Sequence, residues 1–369
     1  MIICGASVFC CVVNFANSRK SAVLPFIFQL PAASFLRIAL SFRRVRNRPS
    51  IEVTAALGLR RVEPIWEGAM IPRIDAALLV RGDTGSLEAL RDAATGVGFA
   101  TVFNTTISAG QVHEVLDTYR QFFKSAHADK EALDMARTGA NRGWGAAGSE
   151  QVDPDANPDF KQFFDVGFEL PVGHPLSDKT VYAPNQWPKN DRFRAVISDY
   201  YAAACDVSFD VLRAIARCLG ADAGYFDAAF LRPMALLRGN FYPSRPAWAT
   251  ERDFGIATHT DYGCLTLLAT DGSSGLEVRK RGGGWIPLSA PPGEFVINFG
   301  EMLEFWTSGQ VKATPHRVVG GDAERISVPM FFNPSYDTNV APSGQAAILA
   351  GEHLSARFNE TYVHLQDKS

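Results

Sequence analysis

After residue 232 the chain breaks into short apolar runs separated by turn signals, and this alternation constrains the fold more than any other feature. The runs are "MALLRGNFY", "CLTLLAT", "LEVRK", "WIPLS", "EFVINFG", "HRVV" and "ISVPMFF", with "DGSSG", "RGGG" and "PPGE" among the segments between them. Many short strands joined by regular turns argue for a sandwich or barrel, not a parallel α/β sheet. The preceding stretch has a different period. Residues 86–98, 111–134 and 191–219 read as helices. In the second, Val112, Val115, Leu116, Tyr119, Phe122 and Phe123 recur at helical spacing and form one apolar face. Gly220 is a stop for the third. Between the first two, "GFATVF" (98–103) reads as a buried strand, and the Gly-, Asn-, Asp- and Pro-rich residues 139–160 as a long ordered loop. The expected class is α+β: a helical N-terminal region (70–225), a jelly-roll core (226–345) and a helical C-terminal tail (346–369).

Residues 1–69 stand apart. No Asp or Glu occurs before Glu52, while Arg19, Lys20, Arg37, Arg43, Arg44, Arg46 and Arg48 fall in that stretch. A basic, acid-free leader fits an organelle transit peptide. The apolar run over residues 21–40 suggests a membrane anchor, but Pro25, Gln29, Pro31 and Arg37 interrupt it before about 18–20 clean apolar residues accumulate. An over-extended reading frame with the true start at Met70 fits best, because "IPRIDAALL" opens a normal globular pattern directly after Met70.

The net charge, 36 Lys and Arg against 39 Asp and Glu, is −3, which gives no sign of a nucleic-acid surface. Cys4, Cys10, Cys11, Cys205, Cys218 and Cys264 form no Cys-x-x-Cys pair, so neither a zinc site of that type nor a disulfide framework is expected. A reduced, cytoplasmic protein acting on a small molecule, with no nucleic-acid or membrane partner, follows as the expectation. Oligomeric state is left open.

One constellation carries chemistry. His259 and Asp261 lie in "ATHTDYG" just before a strand, and residues i and i+2 of an extended chain face the same side. His316, in "TPHRVV", opens another strand and supplies a third candidate ligand. Two imidazoles and one carboxylate on one face leave positions open, as non-haem Fe(II) oxygen chemistry requires. Zinc hydrolases use a similar set closer to tetrahedral geometry. The remaining histidines, His113, His127, His174, His353 and His364, read as ordinary surface or hydrogen-bonded residues.

Around the triad, Arg325 and Ser327 form R-x-S nine residues after His316, "NFYP" (240–243) precedes His259, and "GEFVINFGEMLEFWTSG" (293–309) lies between the ligands. In the first half, "IPRID", "GFATVFN", "YRQFF" and "DFKQFFDVGFE" follow in order. Over about residues 70–340 the chain resembles the isopenicillin N synthase-like 2-oxoglutarate/Fe(II)-dependent dioxygenases. The resemblance implies a double-stranded β-helix, Fe(II) held by His259, Asp261 and His316, and 2-oxoglutarate and O2 as co-substrates. It also implies that Arg325 pairs with the distal carboxylate of 2-oxoglutarate, Ser327 hydrogen-bonds it, and Asn240 and Tyr242 lie beside it. Hydroxylation, desaturation and an ethylene- and succinate-forming reaction all occur in that family. Where it often has Asn-His-Gly, this chain has Asn104-Thr105-Thr106.

Two other readings compete: an oxidase of the same fold that does without 2-oxoglutarate, and a metal-free binding module. Residues 141–150, Tyr262 and Phe331 are the expected lining of the substrate pocket.

Overall fold

The computed structural model describes residues 71–250, 253–342 and 344–366. Before residue 71 it describes only four short strands, β1 (Val12–Val13), β2 (Ala22–Val23), β3 (Arg43–Val45) and β4 (Arg48–Ser50), paired antiparallel as β1–β2 and β3–β4. Most of the basic leader, its apolar run and Cys4, Cys10 and Cys11 lie outside the described residues. By its contacts the chain divides into Met1–Ala69 and Met70–Ser369.

Within Met70–Ser369 the first element is β5 (Arg73–Asp75), and its last residue caps α1 (Ala76–Arg81): Asp75 accepts from the Ala77 and Leu78 N–H groups. Asp83 caps α2 (Thr84–Thr95), and β6 (Phe99–Phe103) follows. Asn104, the first residue of the altered turn, takes a left-handed φ of 57° and donates through Nδ2 to Asp75. Ser108 and Gln111 form a capping box at the start of α3 (Ala109–Phe123), whose six expected apolar residues are all buried. The helix expected over 111–134 is broken after Phe123 and resumes as α4 (His127–Glu131) and α5 (Met135–Thr138). The long loop at 139–160 carries one short strand, β7 (Gly143–Gly145), and β8 (Gln162–Gly167) follows it. The longest helix, α6 (Asp191–Cys218), starts at an Asn190 cap and ends where Gly220 adopts φ 80°.

The strands read from the second half recur as β9 (Leu236–Tyr242), β11 (Leu265–Thr270), β12 (Leu276–Arg279), β13 (Trp285–Leu288), β14 (Phe295–Phe299), β15 (His316–Val318) and β16 (Arg325–Phe332). To these the structure adds β10 (Ile256–His259), and α7 (Glu301–Trp306), α8 (Ala350–Thr361) and α9 (Val363–Gln366) complete the set. Eight strands form one sheet in the order β5-β6-β14-β11-β16-β9-β8-β7, and four form a second in the order β10-β15-β12-β13. β5 to β8 come from the N-terminal half, so the boundary expected at 225/226 does not separate two sheets.

Strand alternation sorts the large sheet into two faces. On β16, Ile326, Val328, Met330 and Phe332 belong to the core shared with the helices, while Arg325, Ser327, Pro329 and Phe331 line a cavity on the other side. On the helix side, Phe164 of β8 packs against Phe122 of α3 at 4.7 Å and Phe193 of α6 at 5.2 Å between ring centroids, and Phe209 of α6 meets Phe332 at 4.9 Å. Each such buried ring contributes about 1.5–3 kcal/mol. On the other side, Leu276, Val278 and Val318 of the small sheet pack against Phe99, Tyr242, Leu268 and Val296 of the large one. This jelly-roll sandwich leaves room between its sheets where β10, β15, β9 and β16 come together.

Candidate active site

His259 ends β10 and His316 begins β15, and the antiparallel register sets the two directly opposite each other. Asp261, two residues past His259, reaches both: its Oδ1 is 3.7 Å from His259 Nε2 and 3.6 Å from His316 Nε2. One ligand atom from each of the three falls within 4.8 Å of the others. Each imidazole is oriented through its far nitrogen. His259 Nδ1 donates to the Ala257 carbonyl at 2.8 Å and His316 Nδ1 to that of Thr314 at 3.1 Å, which leaves both Nε2 lone pairs facing Asp261. Burial pushes the His259 pKa below its usual value despite Asp261, and burial with the nearby His259 lowers that of His316 to about 4. Both rings are therefore neutral, as metal ligands must be. The Asp261 pKa is lowered although burial works to raise it: His316 and His259 act while they carry a proton, and once the rings are neutral the hydrogen bonds from Thr266 and Asn298 hold the carboxylate ionised. The Asn298 Nδ2 bond to Oδ2 measures 2.6 Å, and Thr266 Oγ1 donates to the same oxygen.

The loop bearing Asp261 is pinned by the start of α7. Glu301 N–H donates to Asp261 O at 2.8 Å, and the Glu301 carboxylate accepts from Thr260 at 2.6 Å and Arg357 at 2.7 Å. A Cβ at position 300 would lie 2.3 Å from Gly263 O and 2.6 Å from Asp261 O, so this approach requires Gly300.

Two cavities adjoin the triad. The first, of about 420 Å³, is bounded by Asp261 and His316 and lined by Asn240, Tyr242, Arg325 and Ser327. Antiparallel pairing of β16 with β9 sets Arg325 opposite Tyr242 and Ser327 opposite Asn240, so all four share one face. The Arg325 guanidinium lies 4.9 Å from the Tyr242 ring centroid and is buried, yet its Nε and Nη1 have no hydrogen-bond partner; Asn240 Oδ1 has none either. An unpaired buried guanidinium and a carboxamide beside two imidazoles and a carboxylate suit a planar dicarboxylate that also chelates a metal.

The second cavity, of about 810 Å³, reaches His259, Asp261, Tyr262 and Phe331, and its wall includes Arg142 and Glu150. Of the expected lining, Tyr262 and Phe331 meet there, and Arg142 and Glu150 represent the stretch 141–150. Sequence reasoning missed Lys161, Arg238 and the C-terminal contribution of Leu354, Phe358, Thr361 and Tyr362. Arg238 lies two residues before Asn240 on β9, and that alternation was the signal that could have found it. It donates to Asp165 through Nε and Nη2, both at 2.7 Å, to Glu150 through Nη1 at 2.8 Å, and also to the Tyr362 hydroxyl. Lys161 Nζ donates to Glu150 at 2.6 Å and to Asp159 at 3.0 Å. Of the other histidines, His353 donates through Nε2 to Tyr262 O at 3.1 Å.

Comparison with known proteins agrees with this geometry. Residues 71–190 match the family model described as the N-terminal part of a non-haem dioxygenase in morphine synthesis, and residues 233–334 that of the 2OG-Fe(II) oxygenase superfamily. A 2-oxoglutarate-Fe(II) type oxidoreductase of Aspergillus fumigatus is 30% identical over 68% of this chain and 77% of its own length. A homoarginine-6-hydroxylase of Arabidopsis thaliana is 31% identical over 69% and 77%. The crystal structure of a full-length Neurospora crassa protein in complex with alpha-KG and thymine superposes with a TM-score of 0.70 at 27% identity, covering 80% of this chain and 98% of that one. The chain belongs to the 2-oxoglutarate/Fe(II)-dependent dioxygenases. It is an oxidoreductase that uses Fe(II), 2-oxoglutarate and O2 on a small molecule, and the oxidase without 2-oxoglutarate is not favoured. No helix among the described residues is long and apolar enough to cross a membrane.

Proposed function

We propose that His259, Asp261 and His316 hold the Fe(II), that Arg325 and Ser327 bind the distal carboxylate of 2-oxoglutarate, and that Asn240 and Tyr242 flank it. The observation that carries this reading is the buried Arg325 guanidinium, unpaired at Nε and Nη1, on the same face as Ser327 and in a cavity that ends at Asp261 and His316. Bound there, Fe(II) and 2-oxoglutarate would supply the oxidising chemistry, in which one atom of O2 would go to succinate as 2-oxoglutarate loses CO2 and the other to the substrate. The protein's residues do the rest. Thr266 and Asn298 keep Asp261 ionised and aimed, the Ala257 and Thr314 carbonyls fix the imidazoles, and Tyr242 covers one face of Arg325 so that a carboxylate meets a preset donor.

The primary substrate is assigned to the larger cavity. Arg142, Lys161 and Arg238 line it with a single carboxylate, Glu150, which pairs with Lys161 and Arg238, while their other partners Asp159 and Asp165 are fully buried and outside its lining. Such a wall favours a small, polar molecule with carbonyl or carboxylate oxygens, hydroxylated at a carbon next to the triad. Of the relatives above, one is named for homoarginine and another is bound to thymine, two unlike molecules, so the cavity wall and not the triad makes the choice. We place this activity within Met70–Ser369 and in the cytoplasm, where Cys205, Cys218 and Cys264 remain free thiols. A chain starting at Met70 is expected to keep full activity, and its loss on truncation would refute that placement.

The test is anaerobic loading with Fe(II) and 2-oxoglutarate, then O2 and a metabolite library read by succinate release. Stoichiometric iron, and succinate release stimulated by oxo- or carboxylate-bearing compounds, are expected. Failure to take up iron, or turnover indifferent to 2-oxoglutarate, would overturn the proposal.

A further inference from the structure

The two histidines of the triad are not equally supported. His316 sits on β15, which is hydrogen-bonded on both sides, to β10 and β12. His259 sits on β10, an edge strand, and the pairing of β10 with β15 slips between Ile256 and His259. The interrupted stretch contains Ala257, whose carbonyl orients His259. An edge strand with a broken ladder is a poor place to hold a ligand within the tolerance that a metal site needs.

A buried carboxylate supplies what the ladder lacks. The Ala257 N–H donates to Asp159 Oδ1 at 3.1 Å, while Asp159 Oδ2 accepts from Lys161 Nζ at 3.0 Å. Asp159 is 1% exposed and does not line either cavity. Lys161 already has a shorter bond to Glu150, at 2.6 Å, so neutralising Lys161 does not by itself account for Asp159. Among the described residues, Asp159 is the acid that reaches the backbone of β10. Its two oxygens join a fixed cation to the N–H of Ala257, the residue whose carbonyl, one peptide further on, orients the His259 ring.

On the reading that the triad binds Fe(II), we propose that Asp159 is a positioning residue for His259, acting through the Ala257 peptide. It touches neither metal nor substrate. The line runs from Lys161 Nζ to the Asp159 carboxylate, to the Ala257 N–H, through the Ala257 Cα to its carbonyl in the next peptide, and on to His259 Nδ1. Partners of this kind behind a metal ligand commonly change metal affinity by roughly 10- to 100-fold when removed.

The experiment titrates the full chain, freed of metal, with Fe(II) alone under anaerobic conditions, for wild type, Asp159→Asn, Asp159→Ala and Asp165→Asn. Melting temperature, and 2-oxoglutarate affinity at saturating iron, are measured alongside. Asp165 serves as comparison because it is buried in the same charged network but bonds Arg238, not β10. Asp159→Ala is expected to weaken Fe(II) binding roughly tenfold or more, and Asp159→Asn, which keeps an acceptor for Ala257, by less. Both should bind 2-oxoglutarate normally once iron is saturating, because Arg325 is untouched. Asp165→Asn should lower the melting temperature without changing iron affinity. Unchanged iron affinity in both Asp159 variants overturns the proposal, as does an equal loss in Asp165→Asn, which would mark a general packing effect. A wild type that takes up no Fe(II) overturns the functional reading itself, an outcome separable from the other two.

Discussion

The two cavities beside the triad share walls at Ile256, Asp261 and Phe331, but they treat charge in opposite ways. In the smaller one, Arg325 keeps Nε and Nη1 unpaired and Asn240 Oδ1 has no partner. In the larger one, Arg238 is held by Asp165 and Glu150, and Lys161 by Glu150 and Asp159, while Arg142 gives Nη1 and Nη2 to the Asn141 and Val181 carbonyls and leaves Nε unpartnered. β9 runs through both, with Leu236 and Arg238 facing one and Asn240 and Tyr242 the other. An unpaired buried guanidinium is costly unless something completes it, whereas a closed network is stable on its own. On the proposed reading, the smaller cavity is built around an obligatory anion that is the same at every turnover. The larger is a preformed wall that tolerates the coming and going of its guest.

Asp261 borders both cavities, His259 the larger and His316 the smaller, and loss of any of the three should have the largest effect. His259→Ala, Asp261→Ala or His316→Ala is expected to abolish iron-dependent succinate release in each case while leaving far-UV circular dichroism close to wild type. Anaerobic iron content and turnover are the measurements, and a variant that keeps both would remove that residue from the site.

Next come the two arginines, which should fail in different ways. Arg238→Met leaves Glu150 and Asp165 buried beside an apolar group and should lower unfolding free energy by about 3–5 kcal/mol, seen in denaturant melts. Arg325→Ala should cost about 2–5 kcal/mol of 2-oxoglutarate binding in anaerobic titrations with Fe(II), with iron content and melting temperature near wild type. Arg325→Lys keeps the charge but loses the planar fork, and should fall between wild type and Ala. If Arg325→Ala instead melts early with normal 2-oxoglutarate affinity, the contrast between the cavities disappears.

How much of this could be read from sequence follows the same division. His259 with Asp261 and Arg325 with Ser327 were legible as pairs because a two-residue spacing on a strand fixes a shared face, His316 and the meaning of R-x-S came from the wider family pattern, and the apolar alternation of the second half announced its strands. Lys161 and Asp165 were not legible, because a charged residue in or beside a strand ordinarily faces solvent and only the three-dimensional pairing shows them buried together; Arg238 offered its alternation with Asn240 and nothing more. Tyr362 comes from the C-terminal tail, far from its partners in sequence. Residues 124–126 interrupt an otherwise helical run through local bonds such as Ser125 Oγ to Phe122 O, which periodicity does not register. The strands β7 and β8 went unread for a related reason: buried on both faces, "KQFFDVG" shows no alternation.

The smallest effect tests whether the closed network behaves as one. Burial works to raise the Glu150 pKa, but Arg238 and Lys161 outweigh it and hold the carboxyl at about 2, against 4.5 ordinarily. Folding therefore favours its ionised form. The stability this contributes is present in full above pH 4.5 and is lost as the pH falls from 4.5 towards 2. Asp159 and Asp165 run the other way: burial raises both in spite of Lys161 and Arg238, so what they contribute is lost as the pH rises through their raised values. A wild-type melting profile mixes the two, but the difference between wild type and Glu150→Gln isolates the first. That gap in melting temperature should be widest above pH 4.5 and narrow steadily on acidification towards pH 2. A gap that stays constant over this range would mean that Glu150 matters for its shape and hydrogen bonds alone, and that the wall of the larger cavity is not held by charge.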